Sequence, residues 1–259
     1  MVHRERRHGY KFPLKDVVPQ AAIAIICKAP APGRSKTRLI PRLGAEKSAA
    51  LARAFLIDIA RSIVELRGEF DVAGYAVCSP AEAAEVLASF LPKDFGYSVH
   101  TDAVLGRVLA RAMEDLLGRG HDCVILVNGD SPTLPPRLLK DCILALREGD
   151  ERAVFGPAID GGYYLVGLNH NDPRLFDDIP WSTPAVMAAS LVKAQAIGKR
   201  VTQLGVWYDV DDADSLDWLL AELGGRRLPG VDQDVVAGSA LATRGLLMEN
   251  AFGALENHT

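Results

Sequence analysis

The sequence predicts an α/β fold in which helices cover both faces of a mostly parallel sheet. Residues 21–27 (AAIAIIC) and 123–127 (CVILV) are continuous apolar runs, the pattern of strands that are buried on both faces. Shorter strand-like runs alternate with stretches of helical apolar periodicity along most of the chain. Strands and helices that alternate in this way are typical of a parallel sheet built from crossover units.

The predicted elements follow one another in a regular order. We predict strands over residues 21–27, 70–78, 97–100, 123–127, 153–155, 163–168 and 201–210. We predict helices over residues 51–66, 81–91, 105–116, 135–147, 184–197 and 212–223, and the fourth of them begins with prolines, as helices tolerate in their first turn.

The chain length suits one large domain of this class. We expect residues 21–223 to form a nucleotide-binding catalytic domain, preceded by a flexible extension over residues 1–20 because that segment is charged and lacks apolar periodicity. Residues 224–259 are expected to form a tail that is partly helical.

Composition narrows the classes of function. The net charge of −4 argues against a nucleic-acid partner, which needs a basic surface. No apolar run is long enough to span a membrane or serve as a secretory signal, so we expect a cytoplasmic protein without a membrane partner. The four cysteines lack metal-binding spacing and are expected to be reduced thiols.

A cationic loop follows the first predicted strand. It runs from Lys28 to Arg38 with the sequence KAPAPGRSKTR, and Arg34, Lys36 and Arg38 place cations at alternate positions. Gly33 frees the backbone to turn, so the loop could wrap around a polyphosphate. The loop fits neither the Walker A pattern nor Gly-x-Gly-x-x-Gly, and a solvated basic turn remains the alternative interpretation.

The second buried strand delivers a single carboxylate, Asp130, to the carboxyl edge of the sheet, where ligands bind in open parallel sheets. A carboxylate there is costly unless something binds it, and Mg²⁺ typically takes one or two carboxylates together with substrate phosphates. Capping of the next helix is the alternative, but Pro132 and Pro135 place Asp130 early for that role. We therefore expect Asp130 to bind a metal ion.

Two further acidic segments follow strands. The DGG sequence at residues 160–162 lies between two predicted strands and, by itself, is typical of a hairpin turn. Asp209 and Asp211 alternate at the end of the last predicted strand, so they should share one face and could complete a metal site. Capping of the following helix by Asp211 or Asp212 is the alternative for one of them.

Five segments, taken in order, resemble the motif blocks of the bacterial GT-A-fold transferases of the radical SAM/selenodomain-associated type. The segments are KAPAPGRSKTRL (28–39), NGDSPTLP (128–135), GPAIDGGYYLVGL (156–168), IPWSTPAVM (179–187) and WYDVDDADSL (207–216). The resemblance covers roughly residues 21 to 222, and five ordered blocks are more specific than any one of them. It implies a Rossmann-like sheet of the GT-A nucleotide-diphospho-sugar transferase type, similar in fold to the molybdenum-cofactor and 2-phospholactate guanylyltransferases.

The resemblance also implies roles for individual residues. The nucleotide phosphates would be bound by Gly33, Arg34, Lys36 and Arg38, and from its position at the end of the first strand we expect Lys28 to add a further cation. The acceptor side would include Asp160, Gly161 and Gly162, and Mg²⁺ or Mn²⁺ would be held by Asp130, Asp209 and Asp211. For transfer of a nucleotidyl group, we expect Lys36, Arg38 and Asp130 to be the catalytic residues.

Three functions fit these residues. A nucleotidyltransferase would use the loop cations to stabilise the departing pyrophosphate while a small phosphorylated or acidic acceptor is activated. A glycosyltransferase with a nucleotide-sugar donor is the first alternative, but such enzymes usually carry Asp-x-Asp where this chain has Asn128-Gly129-Asp130. A non-catalytic nucleotide-binding protein is the second alternative, disfavoured by the retention of both the cations and the acids. We therefore predict an Mg²⁺-dependent nucleotidyltransferase.

Overall fold

In a computed structural model of the protein, residues 20–149 and 151–256 are described, and side chains are described as far as residue 248. Within these residues one seven-stranded sheet forms the centre of the fold. Its strands are β1 (Ala21–Ile26), β2 (Val72–Cys78), β3 (Gly96–Val99), β4 (Cys123–Asn128), β5 (Arg152–Pro157), β6 (Tyr163–Leu168) and β7 (Arg200–Gln203). The flexible extension predicted for residues 1–20 lies outside the described residues, apart from Gln20.

The spatial order of the strands is β3-β2-β1-β4-β6-β5-β7. Strand β6 is antiparallel to β4 and β5, and the other neighbouring pairs are parallel. The predicted mostly parallel mixed sheet is therefore confirmed. The carboxyl ends of β1, β4, β5 and β7 and the amino end of β6 consequently lie along one edge of the sheet, where the loops that follow these strands meet.

Helices cover both faces of the sheet, as predicted. They are α1 (Ile40–Leu43), α2 (Ala45–Glu65), α3 (Glu82–Ala88), α4 (Leu105–Gly118), α5 (Pro136–Leu146), α6 (Val186–Ala196), α7 (Ala213–Leu223) and α8 (Leu241–Glu256). Side chains of α2, α3, α5 and α7 pack on one face, and those of α4 and α6 pack on the other. Among the described residues, no helix is both long and apolar enough to cross a membrane.

The strand predicted over residues 201–210 is wrong beyond Gln203. Strand β7 pairs with β5 only from Arg200 to Gln203, and the chain rejoins the sheet at a single bridge between Ala158 and Trp207. The apolar residues between these points favour a strand in the sequence, but they do not continue the backbone pairing with β5. They pack instead as a loop, in which the Tyr164 hydroxyl donates a 2.8 Å hydrogen bond to the carbonyl of Gly205.

Gly205 lies at the point where the chain departs from β7. A Cβ atom at this position would stand 2.0 Å from Oδ2 of Asp232, so only glycine allows this close approach. Asp209 and Asp211 therefore lie in a loop rather than at a strand end. The alternation argument that placed them on one face of a strand does not apply to them.

All four cysteines are free thiols, as their spacing predicted. Burial raises the pKa of Cys123 to about 11 and also raises the pKa of Cys27 and Cys142. A thiol with a raised pKa carries little thiolate at neutral pH, so these cysteines are poor nucleophiles.

The C-terminal helix α8 is fixed to α2 by a buried carboxylate. Asp58 of α2 is 3% exposed and accepts 2.8 Å hydrogen bonds from the backbone N–H groups of Ala242 and Thr243. These two groups belong to the first turn of α8, where helices leave N–H groups without internal partners. A side chain distant in sequence thus caps this helix, and the sequence pattern offered no signal for it.

We expect Asp58→Ala to lower the free energy of unfolding by about 2 kcal/mol or more, because two buried N–H groups lose their acceptor. Asp58→Asn keeps one acceptor oxygen and should cost less. Urea denaturation measures both variants, and hydrogen exchange should quicken in α8 before it does in the sheet. Equal stability of Asp58→Ala and the wild type would show that this cap contributes nothing.

Candidate functional site

The loop after β1 is held in a tight turn by its own hydrogen bonds. The Ser35 hydroxyl accepts a 3.0 Å bond from the N–H of Ala31, and the N–H groups of Arg34 and Ser35 donate to the Ala31 carbonyl. Gly33 has a φ of +72°, a conformation that glycine adopts without steric cost. Ser35 was not singled out in the sequence, although Ser hydroxyl groups commonly bond to nearby backbone groups in turns.

Three cations of this loop are exposed to solvent. Lys28, Arg34 and Arg38 form no ion pair within 4 Å among the described residues. Arg38 lies near Asp212, whose pKa is lowered mainly by hydrogen bonds from Ser215 and further by the Arg38 charge. These side chains are therefore free to bind an anionic ligand at the carboxyl edge of the sheet.

Lys36 differs from the other loop cations because its side chain points into the protein. Its Nζ atom lies 2.5 Å from Oδ1 of Asp130 and 2.8 Å from Oδ1 of Asp211, and the side chain is only 6% exposed. Burial opposes the charge, but the two carboxylates more than offset it and raise the pKa of Lys36. The lysine therefore stays protonated and joins the loops after β1, β4 and β7.

Asp130 is placed by close backbone packing. A Cβ atom on Gly129 would lie 2.9 Å from Cδ2 of Leu56 and 3.2 Å from the Ile26 carbonyl, so glycine lets the loop after β4 approach β1. The Asp130 carbonyl accepts a 3.0 Å hydrogen bond from the N–H of Val210. This bond brings the late acidic loop beside Asp130, and the predicted proximity of the mid-chain and late aspartates is present in the structure.

Asp209 is the most strongly perturbed carboxylate of the site. Its pKa is raised to about 7, mainly by burial and then by the charges of Asp211, Asp160 and Asp130, in that order. Four carboxylates thus share one region in which Lys36 is the cation in direct contact. The excess of negative charge is an arrangement that a bound cation would stabilise.

The late acidic pair and the helix cap use different residues. Asp212 caps α7, because its carboxylate accepts a 3.0 Å bond from the N–H of Ser215 and the Ser215 hydroxyl accepts from the N–H of Asp212. This is a capping box with serine in the third position. The capping alternative therefore holds for Asp212, and Asp211 remains available to pair with Lys36.

The Asp160-Gly161-Gly162 segment is the turn of a β5–β6 hairpin. The Asp160 carboxylate accepts a 2.8 Å bond from the N–H of Gly162, and Gly161 has a φ of +88°. The Gly161 carbonyl accepts a 2.9 Å bond from the N–H of Met187, at the start of α6. The turn is consequently packed against the segment that precedes α6.

We expect Gly161→Ala to destabilise the protein by at least about 2 kcal/mol more than Gly33→Ala, the matched control with a similar φ. A Cβ atom at Gly161 would lie 2.2 Å from the Pro184 carbonyl oxygen, whereas nothing lies within 4 Å of one at Gly33. Thermal denaturation of the two variants compares them directly. Similar losses would show that the turn at residues 160–162 can move away from Pro184.

Two contacts that position the site were not found from the sequence. The Tyr208 hydroxyl donates a 2.7 Å bond to Oε2 of Glu222 and accepts a 3.2 Å bond from the Thr133 hydroxyl, which ties the loop before Asp209 to the segment after Asp130. A Cβ atom on Gly106 would stand 2.6 Å from Nε1 of Trp181, so the start of α4 packs against this indole. Both contacts join residues far apart in the chain.

The side chains present suit a hard divalent cation. Carboxylate oxygens are the donors that Mg²⁺ and Mn²⁺ prefer, and Asp130 and Asp211, which both contact Lys36, are two such donors close together. Within the described part of the chain, no three acidic, histidine or cysteine residues converge as a complete ligand set. This fits Mg²⁺, which is usually bound by one or two carboxylates and by substrate phosphates.

Comparison with known proteins agrees with this geometry. Residues 64–183 match the model of a family described as "Uncharacterized protein conserved in bacteria (DUF2064)". No curated protein sequence matches the chain.

Solved structures extend the likeness to most of the chain. A "putative nucleotide-diphospho-sugar transferase" from Desulfovibrio desulfuricans G20 is 27% identical, with a TM-score of 0.75 over 90% of this chain and 96% of its own. A CMP:2-keto-3-deoxy-manno-octonic acid synthetase, solved with CTP, is 12% identical, with a TM-score of 0.52 over 80% of this chain and 99% of its own. A cytidylyltransferase from Leptospira borgpetersenii serovar Hardjo-bovis (strain JB197) is 10% identical, with a TM-score of 0.51 over 90% and 95%.

These relatives confirm the GT-A type of fold that the five segments predicted. The Desulfovibrio relative, which is described as a transferase, also agrees with the expected class of enzyme. The last two share the fold alone at their low identity.

Proposed function

We propose that the protein is an Mg²⁺-dependent nucleotidyltransferase, which transfers a nucleotidyl group from an NTP to a small phosphorylated or acidic acceptor and releases pyrophosphate. The observation that carries this proposal is a charge arrangement at one edge of the sheet. Three exposed cations without ion-pair partners among the described residues, Lys28, Arg34 and Arg38, surround a paired lysine that contacts two carboxylates.

The proposed reaction places its charge where these cations lie. An oxygen of the acceptor attacks the α-phosphorus of the NTP, the bond from the α-phosphorus to the bridging oxygen breaks, and pyrophosphate leaves with the electron pair. Arg34, Lys36 and Arg38 would bind the β- and γ-phosphates, on which negative charge develops. Gly33 lets the backbone of the loop turn around them.

The acidic residues would hold the metal ion. Asp130 and Asp211 contact Lys36 of the loop, and Asp209 lies near enough for their charges to raise its pKa. Mg²⁺, or Mn²⁺ in its place, would neutralise phosphate charge and orient the triphosphate when bound. The raised pKa of Asp209, to about 7, supports the binding of a cation beside it, because burial and the charges of Asp211 and Asp160 disfavour its ionisation in the protein alone.

The acceptor would bind beside the β5–β6 turn. Asp160 is exposed, and the packing of Gly161 against Pro184 gives this turn a fixed position relative to α6. Asp160 also contributes to the raised pKa of Asp209, so it lies near the aspartates that are proposed to hold the metal ion. A hydroxyl or amine group of the acceptor could donate a hydrogen bond to the carboxylate of Asp160.

A glycosyltransferase that uses a nucleotide-sugar donor is the second candidate. It is favoured by the description of the Desulfovibrio relative, which is a nucleotide-diphospho-sugar transferase. Asn128-Gly129-Asp130 supplies only one acid where Asp-x-Asp would supply two. A diphosphate donor would also leave part of the exposed loop charge without a phosphate partner.

Calorimetric titration separates the two candidates. With Mg²⁺ present, we expect the wild type to bind one NTP, tested with CTP first and then the other three, more tightly than the matching nucleotide-sugar. Arg38→Ala should reduce NTP affinity by about tenfold, in line with the loss of one charged phosphate contact, and reduce nucleotide-sugar affinity less. Tighter binding of the nucleotide-sugar by the wild type would replace the first candidate with the second.

The titration needs a matched control for the loss of positive charge. Lys93 lies between α3 and β3, is exposed, and is at the opposite edge of the sheet from the loop after β1. Lys93→Ala should leave both affinities unchanged. If Arg38→Ala and Lys93→Ala behave alike, the loop is a solvated basic turn.

A further inference from the structure

Lys36 fills the position of a cation between two carboxylates. Its Nζ atom contacts Oδ1 of Asp130 and Oδ1 of Asp211 at 2.5 and 2.8 Å. The carboxylates are 43% and 47% exposed, whereas the lysine side chain is 6% exposed. The ammonium group is thus enclosed, while the acids keep one side open to a ligand.

The same two acids are those proposed to hold the metal ion, so the ammonium and the metal would compete for them. Each of the two carboxylates directs one oxygen, Oδ1, toward the ammonium group of Lys36. Two positive groups within contact distance of the same oxygens repel each other strongly at a partly buried site. A divalent cation on Asp130 and Asp211 therefore requires Lys36 to withdraw.

The backbone at Lys36 is suited to such a change. Its φ of 46° and ψ of 47° are left-handed, which costs a residue with a side chain about 1 kcal/mol or more. A conformation of this kind persists when surrounding contacts hold it, and the side chain of Lys36 is held by the two ion pairs, with its Nζ atom also 5.5 Å from the centre of the Phe55 ring. Once they break, the loop is free to relax and to direct the lysine elsewhere.

We infer that Lys36 is an exchangeable counter-ion: it neutralises Asp130 and Asp211 in the free protein and leaves them for the nucleotide phosphates when a divalent cation binds. This inference rests on the proposed function, because it takes the metal and the phosphates as the ligands of the site. It goes beyond that function because it assigns Lys36 two partners in succession, first the carboxylates and then the nucleotide phosphates.

The exchange makes metal and nucleotide binding cooperative. A metal ion that binds alone must displace Lys36 into solvent, where the lysine gains no new partner. With an NTP present, the displaced ammonium binds a phosphate, so the cost of displacement is offset. By linkage, the nucleotide raises the affinity for the metal and the metal raises the affinity for the nucleotide by the same factor.

Binding of Mn²⁺ alone, followed by electron paramagnetic resonance of the free ion, tests the inference without activity. We expect Lys36→Met to bind Mn²⁺ about tenfold or more tightly than the wild type, because the competing charge is gone. Lys36→Arg keeps the charge and should stay close to the wild type. Lys28→Met removes one charge from the exposed end of the same loop and should change Mn²⁺ affinity less than about threefold, since its charge is screened by solvent.

The outcomes separate this inference from the proposed function. Equal or weaker Mn²⁺ binding by Lys36→Met, in a protein where Asp130→Asn abolishes that binding, overturns the exchange and leaves the proposed metal site standing. A gain in Lys28→Met as large as in Lys36→Met also overturns it, because the effect would then be one of net charge. Failure of the wild type and Lys36→Met alike to bind Mn²⁺, with and without NTP, overturns both the exchange and the metal-dependent function.

Discussion

Lys36→Ala is expected to lower the rate of nucleotidyl transfer by about 10²-fold or more, the loss that follows removal of one charged group from a developing anion. The lysine is enclosed and contacts both Asp130 and Asp211, so its removal leaves these carboxylates without their ion-pair partner. The rate falls because no other cation of the loop points inward. Steady-state measurement of pyrophosphate release from NTP and acceptor gives the rate.

The control for this substitution is Lys93→Ala, which removes an exposed lysine at the far edge of the sheet. Its rate should equal that of the wild type. Thermal denaturation of Lys36→Ala distinguishes a lost charge from a lost fold, and we expect a small change because both partner acids are nearly half exposed. A folded Lys36→Ala protein with the rate of the wild type would remove this residue from the reaction.

The fold was predictable because its signals are local. Strands β1 and β4 lie inside the sheet and are covered by helices, so residues 21–26 and 123–127 are all apolar and form continuous runs in the sequence. The stripe of α4 that begins at Leu109 and ends at Leu116 packs on the sheet as its periodicity predicts. A helix or strand that buries one face needs apolar residues at the spacing of that element, so its period is visible in the sequence.

The end of β7 was not predictable by the same rule. The residues after Gln203 are apolar and alternate well enough for a strand, and they are buried as a strand would be. At this point the Val206 carbonyl accepts a 2.9 Å hydrogen bond from the N–H of Asp232, and glycine at position 205 leaves room for the Asp232 side chain. An apolar pattern in the sequence indicates which residues are buried. It does not indicate which backbone groups form hydrogen bonds with one another.

The candidate site shows the same division between local and distant causes. The cap formed by Asp212 and Ser215 joins residues three positions apart, so helix capping by an aspartate could be considered from the sequence. The ion pair of Lys36 with Asp211 joins residues 175 positions apart, and its geometry depends on the order of the strands. The motif blocks predicted which residues belong to the candidate site, but not that Lys36 points inward while Arg34 and Arg38 stay exposed.

Asp209→Asn is expected to have opposite effects on activity and on stability. Activity that depends on Mg²⁺ should fall by about 10²-fold or more, because one of the proposed metal ligands loses its charge. The protein without ligands should become more stable above neutral pH. Burial, followed by the charges of Asp211, Asp160 and Asp130, makes the ionised carboxylate unfavourable there.

The sign of the stability effect follows from the pKa. The pKa of Asp209 is raised from 3.8 to about 7 in the folded protein, so its ionisation costs stability as the pH rises from 4 to 7, and the whole cost is present above 7. At about 1.4 kcal/mol for each tenfold change in the ionisation constant, the cost reaches ~4 kcal/mol as an upper limit. Asparagine at position 209 removes this cost of ionisation. At pH 4 the Asp209→Asn variant and the wild type should therefore be equally stable.

Denaturation by urea at pH 4, 6 and 8, without metal, measures this difference. The control is Asp214→Asn, which removes the same charge from an exposed position in the first turn of α7, away from the buried carboxylates. It should show no gain that grows with pH. A loss of stability in Asp209→Asn at pH 8 would mean that the carboxylate is favourably bound within the protein, and that the excess negative charge which supports cation binding is already neutralised.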